Sequence, residues 1–387
     1  MKKKSKQRLT VLSLLASSIA GLVIATCINS GSNLSVANAA SYRPKRPKLI
    51  TEAIKKSADA GLKFLAASQR SDGSWLSYGA DGSYPMAMTS LAGLALMSGG
   101  STPESGPYRK NVARCLDYIL ESSEAYHAKH PKRKQIMITS EEDGRSMYGH
   151  GFGMLFLAQC YGVEKDKERS KRIKKILDGA VALTAASQSS IPGVKGGAGG
   201  WYYSPGANTD EGSVTVTQLQ ALRACRNVGI KVPDATIGKA VRYLIINQVA
   251  DGGIRYSYSS GSGGSSQPAL SAAAIACFYA AGVYGTDKGG VGAEAKMVKK
   301  LIDYCKRRVT VNSGLGFYHY SQFYMAQAMY MKGGDDWKDH FTAISEHLLG
   351  NQNSSGYWSA SQGTVYATSI ATIILNLPYG YLPIFQT

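Results

Sequence analysis

The chain is poor in cysteine and in acidic residues. Its 387 residues include 6 cysteines, and they form no Cys-x-x-Cys pair or Cys/His cluster with zinc spacing. This excludes a zinc ribbon, and the scattered cysteines favour buried apolar side chains over a disulfide framework. Asp and Glu number 26 against 44 Lys and Arg, a formal net charge of +18. That excess of positive charge favours anionic partners in general but does not identify a particular one.

Acidic residues are absent from the first forty residues. A basic stretch, Lys2–Arg8, precedes the apolar run Leu9–Thr26 and the small residues Ala37–Ala40. This pattern predicts a secretory signal peptide over residues 1–40, cleaved near residue 39 or 40. The mature chain would then be exported to the periplasm, the cell envelope or the medium, with no transmembrane segment. An uncleaved anchor stays open, because the apolar run approaches spanning length. Residues 41–49 are expected to form a linker.

Internal repetition organises the rest of the chain, residues 50–387, as one domain. Each repeat opens with a helix-patterned segment that carries an aromatic–aliphatic pair, as in Phe64-Leu65, and then a Gly-rich turn such as Asp72–Trp75. Four of six repeats place a glutamine between the two: Gln69, Gln188, Gln248 and Gln352. Six such units predict six helical hairpins, or twelve helices.

A second helical segment, small and apolar, follows each turn. The six segments are Thr89–Met97, Phe152–Tyr161, Thr215–Val228, Leu270–Ala281, Phe323–Met331 and Tyr366–Leu377. The sixth stops at Pro378, and the other five are followed by a glycine, which predicts left-handed helix caps at Gly99, Gly162, Gly229, Gly282 and Gly333.

The two kinds of helix differ in charge. The first helices carry most of the charged residues. The second helices carry almost none and are apolar on nearly all sides, so they must be buried. An inner ring of second helices inside an outer ring of first helices buries the apolar helices and leaves the charged ones at the surface. The predicted fold is therefore all-α, an (α/α)6 toroid. An open solenoid would bury the inner layer less evenly and would need polar caps at both ends.

These repeats resemble a known family. Gln69-x-x-Asp72-Gly73-Ser74-Trp75 resembles the QW-type repeat of squalene and hopene cyclases. The region from about 50 to 387 resembles the terpenoid cyclase and protein prenyltransferase superfamily. It is most similar to secreted bacterial prenyltransferase and squalene oxidase repeat proteins, whose C-terminal signature resembles Tyr366–Gln386. The resemblance implies an α/α toroid with an apolar or isoprenoid-like ligand in its central cavity.

The catalytic motifs of that superfamily are missing. No D-x-D-D motif for alkene protonation occurs in the sequence. Asp303-Tyr304-Cys305 matches the zinc-binding string of prenyltransferases, but it falls in a predicted outer helix, whereas the family places its ligands at the start of an inner helix. We therefore expect no metal and no cofactor, and catalysis is left open.

Candidate site residues lie where the inner helices begin, because these ends and the loops before them line the cavity of a double ring. The candidates for acid–base chemistry are Asp210, Glu211, His319 and His150. Helix N-capping is the alternative role for the two acids, and hydrogen bonding at a helix start is the alternative for His150. The candidates for ligand contact are Arg145, Tyr148, Trp201, Tyr318, Tyr320 and Tyr324. For Trp201, packing beneath a neighbouring helix is an equal alternative.

Three functions fit these observations. The first is an exported toroid that binds an apolar or isoprenoid-like ligand, with cyclase- or transferase-type chemistry unproven. The second is a polysaccharide lyase or hydrolase, for which a hydrolase would need two carboxylates beside the bond. The third is a non-catalytic binding or scaffold protein of the cell envelope. The expected partners are a small apolar ligand or a glycan, with a protein partner possible, and no nucleic-acid module is recognisable.

Overall fold

The computed structural model describes residues 46–385 except 77, 80–81, 191–198 and 260–263. The predicted signal peptide lies outside the described residues. Within them, twelve α-helices follow one another in six hairpins, and a two-residue antiparallel pair, β1 (Tyr78–Gly79) with β2 (Gly82–Ser83), is the only sheet. None of the described helices combines the length and the apolar character that crossing a bilayer requires.

The first helix of each hairpin is amphipathic and forms the outer layer. In the first of them the buried side chains include Ile54, Leu62 and Leu65, while lysines occupy the exposed face. One buried stripe and one charged stripe are what a helix covering a core requires. The outer helices are α1 (Glu52–Ser68), α3 (Arg109–Ala128), α5 (Lys167–Ala186), α7 (Asp234–Ile246), α9 (Gly292–Arg308) and α11 (Gly334–Gly350).

The second helix of each hairpin is buried on nearly all sides. Every residue of Pro85–Ser98 is buried, and the other five are buried over most of their length. The inner helices are α2 (Pro85–Ser98), α4 (Ser146–Tyr161), α6 (Gly212–Asn227), α8 (Pro268–Ala280), α10 (Tyr318–Lys332) and α12 (Thr364–Asn376). Several begin a turn before the apolar segment predicted from sequence, so aromatic residues such as Tyr148 and Tyr320 lie on the helices.

The inner layer closes into a ring. Each inner helix contacts the next one along the chain, and α12 contacts α2. The outer helix α1 packs against α12 and α11, so the outer layer also joins its first and last members. This confirms the predicted (α/α)6 toroid and excludes the open solenoid.

The repeated glutamines connect neighbouring outer helices. In each case Nε2 donates one hydrogen bond to the carbonyl of the turn glycine and a second to a backbone carbonyl of the next outer helix, at 2.8–3.1 Å. Gln352 reaches Ser57 O on α1 at 2.9 Å, and Ser57 Oγ donates to Gln352 Oε1 at 2.7 Å. The last repeat is thereby joined to the first.

Three of the five glycines predicted as left-handed caps have a positive φ, although Gly333, with ψ of −165°, is extended and not left-handed helical. Gly229, Gly282 and Gly333 have φ of 84°, 79° and 76°. The prediction is wrong for Gly99 and Gly162, whose φ values are −85° and −67°. At the first of these, Gly100 takes the positive φ instead. A Cβ on Gly99 would lie 2.5 Å from Leu62 Cδ1, so close packing against α1 accounts for that glycine.

The C-terminal segment covers the end of the ring where the inner helices terminate. After α12, two 3₁₀ turns, Leu377–Tyr379 and Pro383–Phe385, contact α10, and the second also contacts α6. Leu382 and Ile384 are buried there. The opposite end, where the inner helices begin, holds the candidate site.

Candidate functional site

A cavity of about 260 Å³ lies inside the ring at the first turns of the inner helices. All six inner helices or the loops that lead into them contribute to it. Most of the lining is aliphatic or aromatic: Tyr84, Ala87, Met88, Leu91, Phe152, Ala269, Leu270, Phe317, Tyr320, Phe323, Tyr366 and Ile370. Polar groups line the remainder: Arg145, Tyr148, Tyr203, Glu211, Ser213, Tyr256, Gln267 and Gln362. An apolar concavity with a few converging polar groups is typical of a small-molecule site.

Among the described residues that line this cavity, Glu211 is the only carboxylate. It is fully buried and caps α6, because its two oxygens accept the backbone N–H groups of Ser213 and Val214 at 2.9 and 2.8 Å. The Ser213 hydroxyl also donates to it, at 2.7 Å. Burial raises the pKa of Glu211, and these donors oppose part of that rise. The capping role and a place in the cavity therefore occur together.

Tyrosine hydroxyls surround this carboxylate on the cavity wall. Tyr148 shares a hydrogen bond with Ser213 Oγ, and Tyr203 shares one with Tyr256. The Arg145 guanidinium lies over the Tyr203 ring, 4.4 Å from its centroid. Burial raises the pKa of Tyr148, and the nearby Glu211 raises it further. The pKa values of Tyr203 and Tyr256 are raised by burial as well, so these phenols stay protonated at neutral pH.

Side chains from α6 and α10 fill the ring beyond the cavity. The Tyr320 ring packs on that of Tyr324, with centroids 4.8 Å apart, and Tyr324 is fully buried. One turn further, Gln220 Nε2 donates to Gln327 Oε1 at 2.9 Å. Tyr320 therefore lines the cavity, whereas Tyr324 and the glutamine pair lie in the packed part of the ring.

Asp210 does not line the cavity. Its Oδ2 accepts hydrogen bonds from the Tyr243 hydroxyl at 2.7 Å and the Tyr258 N–H at 2.6 Å, and its Oδ1 accepts the Ser259 N–H at 3.0 Å. These bonds fix the loop after α7 against the loop before α6. The carboxylate oxygens are committed to that role.

His150 is fully buried in α4 and also lies outside the cavity lining. Its Nδ1 accepts the Ile138 N–H at 3.1 Å, and its Nε2 is 3.0 Å from Thr184 Oγ1. Burial lowers the pKa of His150 to about 4. This geometry matches the hydrogen-bonded structural histidine that the sequence left as an alternative.

Trp201 packs between its two neighbouring helices. Its indole Nε1 donates to Thr184 O on α5 at 2.7 Å, and its backbone N–H donates to Thr215 Oγ1 on α6 at 2.9 Å. Trp75 and Trp358 make the equivalent pair of hydrogen bonds in their own repeats. The three tryptophans are thus a repeated structural element, and they do not line the cavity.

Tyr318 and His319 face a separate surface groove, although they directly precede Tyr320. The Tyr318 hydroxyl donates to Val311 O at 3.0 Å, and its ring lies between His319 and His347, with centroids 5.6 and 5.1 Å away. Of the ten candidate residues, the structure brings four together in the cavity: Arg145, Tyr148, Glu211 and Tyr320.

Tyr203 and Tyr256 are cavity residues that the sequence did not single out. Both come from loops that lead towards the next inner helix, where no periodic pattern marks which side chains turn inward. Helical spacing in the sequence could have identified Tyr366 as a cavity residue, because it lies one turn before Ile370 on the same face of α12.

Comparisons with solved structures identify the fold. No protein-family model and no curated protein matches this chain. The type II terpene cyclase MstE from Scytonema is 15% identical, with a TM-score of 0.51 over 86% of this chain and 100% of that one. A GH76 α-mannanase from Bacteroides thetaiotaomicron is 13% identical, with a TM-score of 0.59 over 86% of this chain and 96% of that one.

A third similar structure is a GH76 α-1,6-mannanase from Salegentibacter sp. HEL1_6 in complex with α-1,6-mannotriose. It is 10% identical, with a TM-score of 0.61 over 85% of this chain and 99% of that one. The shared fold is the α/α toroid. The resemblance to the terpenoid cyclase superfamily is therefore supported at the level of fold, and the same toroid also serves mannanases. Identities this low do not transfer a reaction.

No metal centre is evident in the part of the chain that the structure describes. Within those ranges no three His, Cys, Asp or Glu side chains converge closely enough to hold an ion. Asp303 forms an ion pair with Lys299 on α9, and Cys305 is buried and free. The other four cysteines of the described chain are likewise buried and form no disulfide.

Proposed function

We propose that the central cavity binds a small ligand with an apolar body and one polar group. The observation that supports this is the distribution of its lining. Aliphatic and aromatic side chains such as Leu91, Phe152 and Phe323 come from several helices, while Glu211 and the tyrosine hydroxyls lie together. An apolar body gains from burial among the former, and a hydroxyl or similar group can hydrogen-bond to the latter.

The size of the cavity restricts the ligand. Its volume of about 260 Å³ is slightly below the range of pockets for drug-sized molecules, roughly 300–1,000 Å³. A short isoprenoid-like alcohol meets both the size and the chemistry. Since the cyclase motif is missing from the sequence, binding is the function we propose, and chemistry at Glu211 is not part of it.

Export is the second part of the proposal. It rests on the basic, apolar and small-residue segments of residues 1–40. A ligand-binding toroid would then act in the periplasm, the cell envelope or the medium.

Polysaccharide cleavage is the alternative function, and the positions of the candidate acids and bases bear on it. Asp210 and Glu211 are adjacent acids ahead of an inner helix, and hydrolysis by retaining or inverting mechanisms uses two carboxylates that flank the bond. Only Glu211 lines the cavity, while Asp210 is hydrogen-bonded to a neighbouring loop. A lyase site made of Arg145 and His319 is disfavoured too, because the two line different pockets. Ligand binding is therefore preferred.

Calorimetric titration with geraniol, an isoprenoid alcohol, tests the proposal. Ala87 lies on the cavity wall, so Ala87→Phe fills part of the space that the ligand needs. The matched control is Ala125→Phe, at an exposed position on the outer helix α3. We expect saturable binding to the wild type and to the control, and loss of binding in Ala87→Phe. Equal binding by both variants would place the ligand elsewhere, and no binding to the wild type would refute the proposal for this ligand class.

A further inference from the structure

A second concavity lies on the surface beside the start of α10. It is a groove of about 580 Å³ between the first residues of α10, the end of α11 and the turn that leads to α12. We call it the α10–α12 groove. Its lining includes Tyr318, His319, His347, Tyr357, Ser359 and Ser361.

The chemistry of this groove differs from that of the cavity. Its lining contains no Lys, Arg, Asp or Glu. The polar groups are amides, hydroxyls and imidazoles, which both donate and accept hydrogen bonds. Burial, together with a smaller contribution from the neighbouring His347, lowers the pKa of His319 to about 4. The His319 ring is therefore neutral at neutral pH.

Several of these polar groups are available to a ligand. Among the described residues, no side chain or backbone group forms a hydrogen bond with the imidazoles of His319 and His347 or with the hydroxyls of Ser359 and Ser361. Gln352, in contrast, is committed to Ser57 and Gly356. The free donors and acceptors are thus distributed along both sides of the groove.

Aromatic rings supply the apolar surface. Tyr318 and Tyr357 are partly exposed, and each is held by another ring: Tyr318 by His347, and Tyr357 by Phe64 with centroids 5.1 Å apart. Rings held in this way lose little conformational freedom when a ligand packs on them.

We propose that the α10–α12 groove binds a neutral oligosaccharide. A sugar ring has an apolar C–H face that packs on tyrosine and a rim of hydroxyls that both donate and accept, and the groove offers partners for both. An acidic or basic polymer would find no opposite charge in it. An open groove also admits a chain that continues beyond both ends, which an enclosed cavity does not.

This proposal is independent of the ligand in the central cavity. Among the described residues that line the two concavities, Gln362 alone is common to both, and Ala87 lines only the cavity. Filling the cavity with Ala87→Phe should therefore leave oligosaccharide binding unchanged. Blocking the groove should leave geraniol binding unchanged.

Saturation-transfer NMR with maltotriose, cellotriose and chitotriose tests the groove. Tyr357→Ala removes a stacking ring, and Ser359→Trp, at an exposed position, fills the groove with little risk to folding. The matched control is Tyr126→Ala on α3, which removes a partly exposed tyrosine whose ring contacts that of His130 at a centroid distance of 4.9 Å.

We expect at least one trisaccharide to bind the wild type and the Tyr126→Ala control. Binding should weaken about tenfold in Tyr357→Ala, as for the loss of one stacked ring, and vanish in Ser359→Trp. Failure of all three trisaccharides to bind the wild type overturns the proposal, as does equal binding by the wild type and Ser359→Trp.

Discussion

The side chains of Gln220 and Gln327 form a 2.9 Å hydrogen bond between α6 and α10, two inner helices that are not neighbours in the ring. Both amides are buried, and Gln327 also donates to Phe323 O at 3.2 Å. The bond joins two inner helices that both flank α8, in the packed part of the ring beyond the cavity.

A double-mutant cycle tests this link. Gln220→Leu should lower the free energy of unfolding by about 1–3 kcal/mol, because it leaves Gln327 Oε1 buried without a donor. Replacing both glutamines by leucine should recover part of that loss, since no partner is then left unpaired. Urea denaturation of the two single variants and the double variant provides the measurement. Strictly additive losses would mean that the two amides are not coupled.

Gln352, which joins the last repeat to the first, is expected to stabilise the fold more than a residue in a surface turn usually does. Gln352→Met keeps the length of the side chain and removes its bonds to Ser57 and Gly356, so the free energy of unfolding should fall by about 1–3 kcal/mol. Gln135→Met, at a partly exposed position on a loop, is the control and should change stability little. A Gln352→Met protein as stable as the wild type would show that the toroid closes without this connection.

Buried histidine should make the fold sensitive to mild acid. The pKa of His150 is lowered to about 4 by burial, from an ordinary value of 6.5. The unfolded chain therefore takes up a proton as the pH falls below 6.5, while the folded chain does not until about pH 4, and stability is lost across that window. The loss from this residue is on the order of 2 kcal/mol between pH 7 and pH 5.

Unfolding midpoints in urea at these two pH values check this prediction. In His150→Gln the amide oxygen can still accept the Ile138 N–H, and the difference between the two midpoints should shrink. In the control His130→Gln, on the loop after α3, it should match the wild type. An unchanged difference in His150→Gln would contradict the assignment of the acid sensitivity to this residue.

The cap on α6 gives a prediction about Glu211. Glu211→Ala removes the acceptor for the N–H groups of Ser213 and Val214 and should cost about 1–2 kcal/mol. Glu211→Ser should recover much of this, because a serine hydroxyl is a good N-cap acceptor. Thermal unfolding of the three proteins distinguishes the cases. If serine were no better than alanine, the stabilising role of Glu211 would not be capping.

The sequence predicts the toroid well because its signals are local and repeated six times. Charged first helices, apolar second helices and the four glutamines each correspond to a defined feature of the structure. The left-handed caps predicted at Gly99 and Gly162 were wrong. At Gly99 the glycine serves close packing against Leu62 instead, whereas the contacts around Gly162 do not explain its glycine.

The candidate site is harder to predict because successive residues of a helix point about 100° apart. Tyr320 therefore faces the cavity while Tyr318 and His319 face the groove, and Tyr148 faces the cavity while His150 packs against Ile138. Helical spacing could have separated these residues, since Tyr148 and Phe152 share a face. The orientation of the loop residues Tyr203 and Tyr256 depends on tertiary contacts that leave no pattern in the sequence.

Native mass spectrometry of the chain produced with its N-terminal segment and purified without detergent tests the central claim most directly. The account predicts a wild-type species that carries an apolar small molecule, and an Ala87→Phe protein that lacks this adduct while Ala125→Phe keeps it. A wild type without any adduct, which also fails to take up geraniol added before the measurement, would contradict a ligand-binding cavity at the start of the inner helices.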